Sequence, residues 1–363
     1  MTYPRKNKKV ILGLSGGVDS TAAALLLKER GYEVTGLFFD IKGSPAGERT
    51  KERKKAERAA EQLGIRLILE DVSRLFEKAV IEPFCRDYLN GRTPNPCIVC
   101  NPAVKFRTLM EAADREGAYY IATGHYADTF FHGEKGMWYV KRAASDKKDQ
   151  SYMLYRLEQS VISRLILPLS MAENKEEARH IARTNLMDNW GEKDSQEICF
   201  IEKGRDYRDF LEERGIVFPP GDFVDTGGNI LGTHRGIGGY TIGQRKGLGI
   251  ALGRPAFVVR IDPVENKVVL GDSGELFSTK ILSENNIIEG IKGASLEERG
   301  LNGISVKAKI RYAAPPAEAV IRDAGDGRIE TVFSRPQRAA TPGQSVVFYK
   351  DDLVLGGGFI CHD

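Results

Sequence analysis

Cysteine is scarce in this sequence, and long apolar runs are missing. Only 5 of the 363 residues are cysteine, too few and too unevenly spaced for a disulfide framework, so the thiols are candidates for chemistry. No apolar run is long enough to span a bilayer, and no signal-type apolar segment follows the basic residues 1–9. These absences argue against a membrane protein or a disulfide-stapled secreted domain. We expect a cytoplasmic protein with no membrane partner.

A strong charge of one sign is also lacking, because 53 lysine and arginine residues face 50 aspartate and glutamate residues for a net charge of +3. A surface that binds nucleic acid must therefore come from local clusters of basic residues. At 363 residues the chain exceeds what a single core usually supports, so we expect two or three domains.

One glycine-rich stretch follows an apolar run and precedes a helical pattern, which predicts a strand, a tight turn and a helix. It reads Ser15-Gly-Gly-Val-Asp-Ser20. Gly16 and Gly17 allow the backbone to approach a ligand closely, and the first amides of the helix have no internal partner, so the turn is predicted to bind phosphate. The stretch lacks the Gly-Lys-Ser/Thr of loops that hold the β and γ phosphates of hydrolysable nucleotides.

Strands and helices alternate along the first half of the chain, which predicts a doubly wound α/β domain. Phe39 lies near the end of the second strand, where it either packs on an adenine ring or belongs to the core. Gly124 and His125 follow a later strand and point to the ligand side, because parallel sheets bind ligands where their strands end. The predicted strands are 33–40, 66–71 and 118–122, and the predicted helices are 48–62, 72–89, 104–113 and 175–185.

Segment 90–102 contains three prolines and a glycine, which predicts irregular structure around its C-x-x-C pair, Cys97 and Cys100. Residues 130–142 alternate apolar and polar side chains about a turn and predict a β-hairpin. From residue 207 glycine and proline become frequent, and beyond residue 280 short alternating segments predict a small β-barrel. We therefore predict domains at 1–206, 207–279 and 280–363.

Ser-Gly-Gly-x-Asp-Ser resembles the PP-loop of ATP pyrophosphatases, and with the other motifs the whole chain resembles the tRNA-specific 2-thiouridylases, the MnmA (TrmU) family. The resemblance implies an α/β plus β fold: an N-terminal PP-loop domain of the Rossmann-type adenine nucleotide alpha hydrolase class, a small central domain and a C-terminal β-barrel that contacts tRNA. The matching motifs are residues 15–20, 91–96, 100–101, 105–106, 122–126, 148–152, 198–200, 243–250, 311–312 and 341–344.

By this resemblance, ATP adenylates the 2-carbonyl oxygen of the wobble uridine, position 34 of tRNA, and sulfur then replaces that oxygen. Adenylation turns a poor leaving group into AMP, and Mg²⁺ balances charge on the phosphates with Asp19 as a nearby carboxylate. The residues implied to bind the nucleotide are Gly13, Leu14, Ser15, Gly16, Gly17, Val18, Asp19, Ser20, Phe39 and Gly124.

The resemblance also implies that Cys199 carries a persulfide from a sulfur donor, either a carrier protein or sulfide, and that Cys100 attacks or resolves through a transient disulfide with it. Many family members have an aspartate acid/base where this chain has Cys97. A thiol at that position can shuttle protons. Alternatively, Cys97, Cys100 and Cys199 hold a [4Fe-4S] cluster with one open iron, or Cys97 is a neutral replacement. Zinc would need a fourth ligand that the sequence does not show.

Residues implied to contact the tRNA anticodon loop suit a flipped-out base, because amides read base edges, cations meet phosphate and tyrosine offers a stacking face. Two rival functions stay open: a PP-loop synthetase of the amidotransferase type, for which no ammonia route is visible, and a tRNA-binding protein with a regulatory nucleotide site, which leaves the thiols unexplained. The implied contact residues are Asn95, Pro96, Cys97, His125, Lys148, Asp149, Gln150, Arg311, Tyr312 and Gln344.

Overall fold

The computed structural model describes residues 7–43, 49–191, 198–202 and 204–362. Its first part is a parallel sheet with helices on both faces, as predicted. The residues of the central strand are buried because helices cover both sides of it. The strands are β1 (Lys9–Gly13), β2 (Glu33–Asp40), β3 (Leu67–Asp71) and β4 (Tyr120–Ala122), with a two-residue strand at Leu165–Ile166, and their spatial order places β1 between β2 and β4.

The helices of this part follow the predicted pattern closely. The second begins at the N-cap Thr50 and ends at Gly64, whose φ of 62° suits glycine. Its predicted start at Glu48 lies outside the described residues. The helices are α1 (Val18–Glu29), α2 (Lys51–Leu63), α3 (Ser73–Phe76), α4 (Glu82–Leu89), α5 (Pro96–Cys100), α6 (Arg107–Arg115), α7 (Gln159–Ile162), α8 (Lys175–Thr184) and α9 (Tyr207–Glu213), with π-helical segments at Glu77–Ile81 and Asn101–Phe106.

The prediction of irregular structure across 90–102 was wrong for its second half. Helix α5 begins at Pro96, continues through the π-helical segment and joins α6, so residues 96–115 form one helix, which we call the thiol helix. Pro96 occupies the first helical position, where a missing amide costs nothing. Pro102 lacks the amide that would bond to the carbonyl of Ile98, and the helix widens to π geometry there.

The hairpin predicted at 130–142 is present as β5 (Asp128–His132) and β6 (Met137–Lys141). The strand Leu165–Ile166 is β7. A separate four-stranded sheet follows, in the order β10-β11-β8-β9. Its strands are β8 (Gly221–Asp225), β9 (Ile230–His234), β10 (Phe257–Asp262) and β11 (Lys267–Gly271). The predicted domain boundaries at 206 and 279 stay predictions.

The last part closes into the predicted barrel, because β12 pairs with both β16 and β18. The sequence pattern missed the beginning of β12 and missed that the hairpin of the first domain extends this sheet through β6 and β18. A continuous core joins the two parts, from Ile11 to Tyr349. The strands are β12 (Phe277–Ile288), β13 (Ile291–Lys292), β14 (Ser305–Lys309), β15 (Ala317–Asp323), β16 (Ile329–Arg338), β17 (Ser345–Lys350) and β18 (Leu353–Ile360).

None of the helices in the described part of the chain combines the length and apolar character that a membrane span requires.

Candidate active site

Hydrogen bonds among its own residues stabilise the turn between β1 and α1. The Ser20 hydroxyl donates to the carbonyl of Gly17 at 3.1 Å and lies 3.2 Å from the Ser15 hydroxyl. Gly16 has a φ of 76°, and a Cβ there would lie 2.5 Å from the carbonyl carbon of Lys55 in α2, so only glycine fits. Gly17 supplies no side-chain cap to α1. The first amides of α1 are therefore available to an anion.

More distant side chains support this turn. The Tyr126 hydroxyl donates to Asp19 Oδ1 at 2.7 Å, and Lys175 lies 3.3 Å from Asp19 Oδ2. Burial, with a further contribution from Asp19, raises the pKa of Tyr126 above its usual range, so the hydroxyl stays a donor. The Asn189 amide donates to the Gly16 carbonyl at 2.7 Å. Sequence reasoning missed these three supporting residues, although Tyr126 belongs to the matched motif 122–126.

A cavity of about 540 Å³ opens beside the turn, a volume that suits a nucleotide. The predicted nucleotide residues Leu14, Ser15, Gly17 and Phe39 line it, and so do both candidate sulfur residues, Cys100 and Cys199. The remaining lining residues, which the sequence did not single out as nucleotide ligands, are Phe38, Asp40, Ile41, Lys42, Thr50, Glu52, Lys55, Phe76, Val104 and Lys105.

Three other residues predicted to bind the nucleotide, Gly13, Val18 and Gly124, lie behind the residues that line the cavity. A Cβ on Gly13 would lie 3.2 Å from the Phe39 ring, and one on Gly124 would lie 2.9 Å from the backbone carbon of Asp19. Val18 is 2% exposed and belongs to the core. Gly13 and Gly124 therefore let the ring and the two loops approach each other closely.

The three candidate thiols share one neighbourhood but differ in exposure. Cys100, at the end of α5, is buried, whereas Cys97 and Cys199 are exposed. Burial raises the pKa of Cys100 to about 12. Desolvation by the surrounding protein also raises the pKa of Cys199, although its side chain is accessible to solvent, and the Lys105 ammonium opposes both shifts. Cys100 and Cys199 line the same cavity, and the charges of Cys97 and Cys199 each contribute to raising the pKa of Cys100.

The donor sets fit Mg²⁺ better than an iron-sulfur cluster. Among residues 7–43, 49–191, 198–202 and 204–362, no three His, Cys, Asp or Glu side chains come together as a metal site, although all three thiols are included. Nucleotide-bound Mg²⁺ needs only one or two carboxylates besides phosphate oxygens. Asp40 and Glu52 line the cavity, and Asp19 lies at the turn.

Two of the predicted tRNA-binding segments meet on one surface. The rings of Tyr152 and Tyr312 lie 6.2 Å apart, and Tyr312 is 37% exposed. Asp149 is buried and accepts hydrogen bonds from the amides of residues 143 and 151 at 3.2 and 3.1 Å, so it holds the loop that presents Lys148 and Gln150. Arg311 donates to the carbonyl of residue 338 at 3.1 Å.

The other predicted contacts cluster around the thiol helix. Pro96 is buried, and the Asn95 amide reaches the Met153 sulfur at 3.8 Å. Half-buried His125 packs near Phe106, and desolvation, with the nearby Lys105 charge, lowers its pKa to about 3, so the ring is neutral at pH 7. Gln344, on the barrel, donates to the carbonyl of Thr93 at 2.8 Å, just before the thiol helix.

Three family profiles match the chain in order. They are described as a tRNA methyl transferase HUP domain at residues 8–203, a tRNA methyl transferase PRC-barrel domain at 208–272 and an aminomethyltransferase beta-barrel domain at 294–360. The tRNA-specific 2-thiouridylase MnmA 2 of Caldanaerobacter subterraneus subsp. tengcongensis is 43% identical over 98% of each chain. The MnmA of Acetivibrio thermocellus is 46% identical over 97% of this chain and 99% of its own.

The chain belongs to the tRNA-specific 2-thiouridylase family. Both 2-thiouridylase relatives match it over nearly their full length, so the family assignment covers all three domains. Among solved structures, the U34-tRNA thiolase NcsA from Methanococcus maripaludis with its [4Fe-4S] cluster is 20% identical over 58% of this chain and 65% of its own, with a TM-score of 0.33. At that distance the cluster of NcsA carries no weight for the thiols of this 2-thiouridylase family member.

Proposed function

We propose that this chain is an ATP-dependent tRNA-uridine 2-sulfurtransferase that adenylates the 2-carbonyl oxygen of uridine 34 and replaces it with sulfur, releasing AMP and pyrophosphate. The observation that carries the proposal is that Cys100 and Cys199 line the same cavity as the phosphate-binding turn. A sulfur nucleophile is thereby held next to the place where the leaving group forms. The protein works in the cytoplasm, where its tRNA substrate is found.

In the first half of the reaction, the uridine oxygen attacks the α-phosphorus of ATP and pyrophosphate leaves. Residues 13–20 hold the departing phosphates through backbone amides at the start of α1. Phe39 packs on the adenine, and Gly124 allows the loop after β4 to close against the turn. Mg²⁺ bound to the phosphates would neutralise the charge that develops on them, with Asp19, Asp40 and Glu52 nearby.

In the second half, the terminal sulfur of a Cys199 persulfide attacks carbon 2 and AMP leaves. The Cys100 thiolate then attacks the Cys199 sulfur, which forms the Cys100–Cys199 disulfide and releases 2-thiouridine with its sulfur on the base. A dithiol reductant returns both cysteines to thiols, and a sulfur donor reloads Cys199. The Lys105 ammonium acts on both thiols and favours their anionic forms.

Cys97 is the proton carrier in this scheme, three residues before Cys100 on the thiol helix. It lies close enough to Cys100 for their charges to interact. A cluster held by three thiols is the competing arrangement, and the described residues do not assemble it. Iron analysis of protein purified without oxygen separates the two: active, iron-free protein supports the relay, and about four irons per chain would contradict it.

The RNA-binding surface runs from the thiol helix to the barrel. Asn95, Pro96 and Cys97 surround the target base, while Lys148, Gln150, Arg311 and Tyr312 contact the anticodon stem and loop, with His125 and Gln344 between them. The contact between the Tyr152 and Tyr312 rings, which joins the two segments, supports one continuous surface. Asp149 acts indirectly, by holding its loop.

Transfer of labelled sulfur to tRNA in the presence of ATP tests the proposal. Wild-type enzyme should form 2-thiouridine, and Cys199→Ser should fall to the level without enzyme because no persulfide can form. Cys85→Ser is the control, since Cys85 is buried in α4 and does not line the cavity. Exchange of labelled pyrophosphate into ATP should survive in Cys199→Ser. Equal product from Cys199→Ser and wild type would remove Cys199 from the mechanism.

A further inference from the structure

The loop that leads into the thiol helix, residues 91–95, belongs to the first domain and forms hydrogen bonds to both of the others. Its central residue, Thr93, donates its amide to the carbonyl of Pro342 at 2.8 Å and accepts from Gln344 at 2.8 Å, both in the barrel. Its hydroxyl donates to the Thr241 hydroxyl of the central domain at 3.3 Å. The backbone of Thr93 is therefore satisfied by residues about 250 positions away, and its hydroxyl by a residue about 150 positions away.

Two glycines allow these surfaces to meet. Gly91 has a φ of 65°, and a Cβ there would lie 2.8 Å from the Ile261 side chain of the central domain. Gly343 has a φ of 90°, and its Cβ would lie 3.0 Å from the backbone nitrogen and oxygen of Thr93. Both contacts leave no room for a side chain. The loop is therefore fitted closely into the groove between the central domain and the barrel.

One ion pair fastens the same loop to the barrel. Arg92 Nη1 lies 2.7 Å from Glu284 Oε1, and the two side chains are 30% and 31% exposed. Glu284 belongs to β12, where its backbone pairs with Phe359 of β18 at the seam of the closed barrel. Pairs this exposed add little to global stability. The pair does, however, tie the loop just before the thiol helix to the barrel.

We propose that Arg92 and Glu284 are positioning residues for sulfur transfer, holding the thiol helix so that Cys100 faces the persulfide and the activated base. This inference rests on the proposed function and adds to it a role for the barrel in chemistry. The hydrogen bonds described for the phosphate-binding turn do not involve this pair, so adenylation should not depend on it. Sulfur transfer should depend on the pair, because a displacement of about 1 Å at the reacting atoms slows the reaction strongly.

The experiment measures two steps separately with Arg92→Gln, Glu284→Gln and the double variant. Single-turnover formation of 2-thiouridine, with enzyme in excess over tRNA and persulfide loaded beforehand, reports sulfur transfer. Exchange of labelled pyrophosphate into ATP in the presence of tRNA reports adenylation. We expect sulfur transfer to slow about tenfold in each single variant, with no further loss in the double variant. Pyrophosphate exchange and the Kd for tRNA should stay at wild-type values.

Two controls exclude a general structural effect. Glu330→Gln removes the pair with Lys280, which also involves β12 but does not reach the loop, and should leave both steps unchanged. Arg92→Lys keeps the charge and should recover most of the sulfur-transfer rate. Equal losses in both steps, or additive losses in the double variant, would overturn the positioning role. Wild-type enzyme that exchanges pyrophosphate but makes no 2-thiouridine would instead contradict the proposed function itself.

Discussion

The phosphate-binding turn and the thiol helix reach the same cavity but are held in opposite ways. The turn is fixed by hydrogen bonds among Ser15, Gly17 and Ser20, all within six residues. The thiol helix is fixed at its start by bonds from Thr93 to the central domain and the barrel. One half of the candidate site is therefore local, and the other half exists only after the three domains have packed.

This difference explains why one short motif is enough to describe the turn, whereas the short motifs around Cys100 do not predict its burial. The turn requires particular residues in consecutive positions, because their backbone angles and hydroxyl groups act on each other. The pKa of Cys100 depends on burial by distant segments. Changes in the turn should therefore damage ATP use alone, whereas changes that loosen packing should be visible at the thiol helix.

The largest expected effect is that of Gly16→Ala, which attacks the local half. The new Cβ would lie 2.5 Å from the backbone of Lys55 at a φ of 76°. We expect pyrophosphate exchange to fall at least about 100-fold and the free energy of unfolding, measured with urea, to fall by about 3 kcal/mol.

Gly17→Ala is the matched control for stability, since its nearest neighbour is the Ser15 hydroxyl at 3.5 Å, and it should cost less than about 1 kcal/mol. A Gly16→Ala enzyme that exchanges pyrophosphate at the wild-type rate would show that the turn is not the phosphate site. Alkylation of Cys97 should be unchanged in both variants.

The next largest effect is a pH dependence, which tests the burial of Cys100 in the thiol helix. Burial raises the pKa of Cys100 from its ordinary value of 9.0 to about 12. Alkylation of Cys100 by iodoacetamide in the folded protein should therefore accelerate about tenfold per pH unit from pH 7 to 10, without a plateau. In urea the same thiol should reach a plateau near pH 9. Mass spectrometry of the Cys100 peptide measures the rate, with exposed Cys97 as the fast internal control.

The raised pKa of Cys100 also makes the stability of the folded protein decrease at high pH. Because the folded pKa lies above the unfolded one, the contribution of Cys100 is fully present below about pH 9 and is lost as the pH rises towards 12. The stability advantage of wild type over Cys100→Ala should shrink by about 1.4 kcal/mol per pH unit in that window. An advantage independent of pH would mean that the thiol is not buried in solution.

The smallest expected effect is that of Tyr126→Phe. It removes a tyrosine hydroxyl that donates to Asp19 in the turn at 2.7 Å. Because Asp19 is 33% exposed, water can replace the donor, and we expect the KM for ATP to rise about fivefold with kcat for sulfur transfer unchanged. Tyr32→Phe is the control, because the Tyr32 ring packs edge-on against Tyr120. A loss as large as that of Gly16→Ala would show that the turn depends on distant support after all.

Much of the fold could be predicted because its signals are local. Alternation of apolar residues located the α/β domain and most barrel strands, and Gly64 marked the end of α2. Segment 90–102 was misjudged for two reasons. Pro96 occupies the first helical position, where its missing amide is not needed, and the helix accommodates Pro102 by widening to π geometry. The junction of the hairpin strand β6 with β18 left no trace in either segment, since strand pairing depends on which edges meet in space.

The sequence by itself determined the phosphate-binding turn, the class of each domain and the family, because consecutive residues and full-length similarity carry that information. Only the tertiary structure decided that Cys100 and Cys199 line one cavity, that Asp149 is buried beneath its loop and that Arg92 meets Glu284. The cysteine pair and the Arg92–Glu284 pair each join residues about 100 to 190 positions apart. Such proximity arises from packing of the whole chain, and no local pattern specifies it.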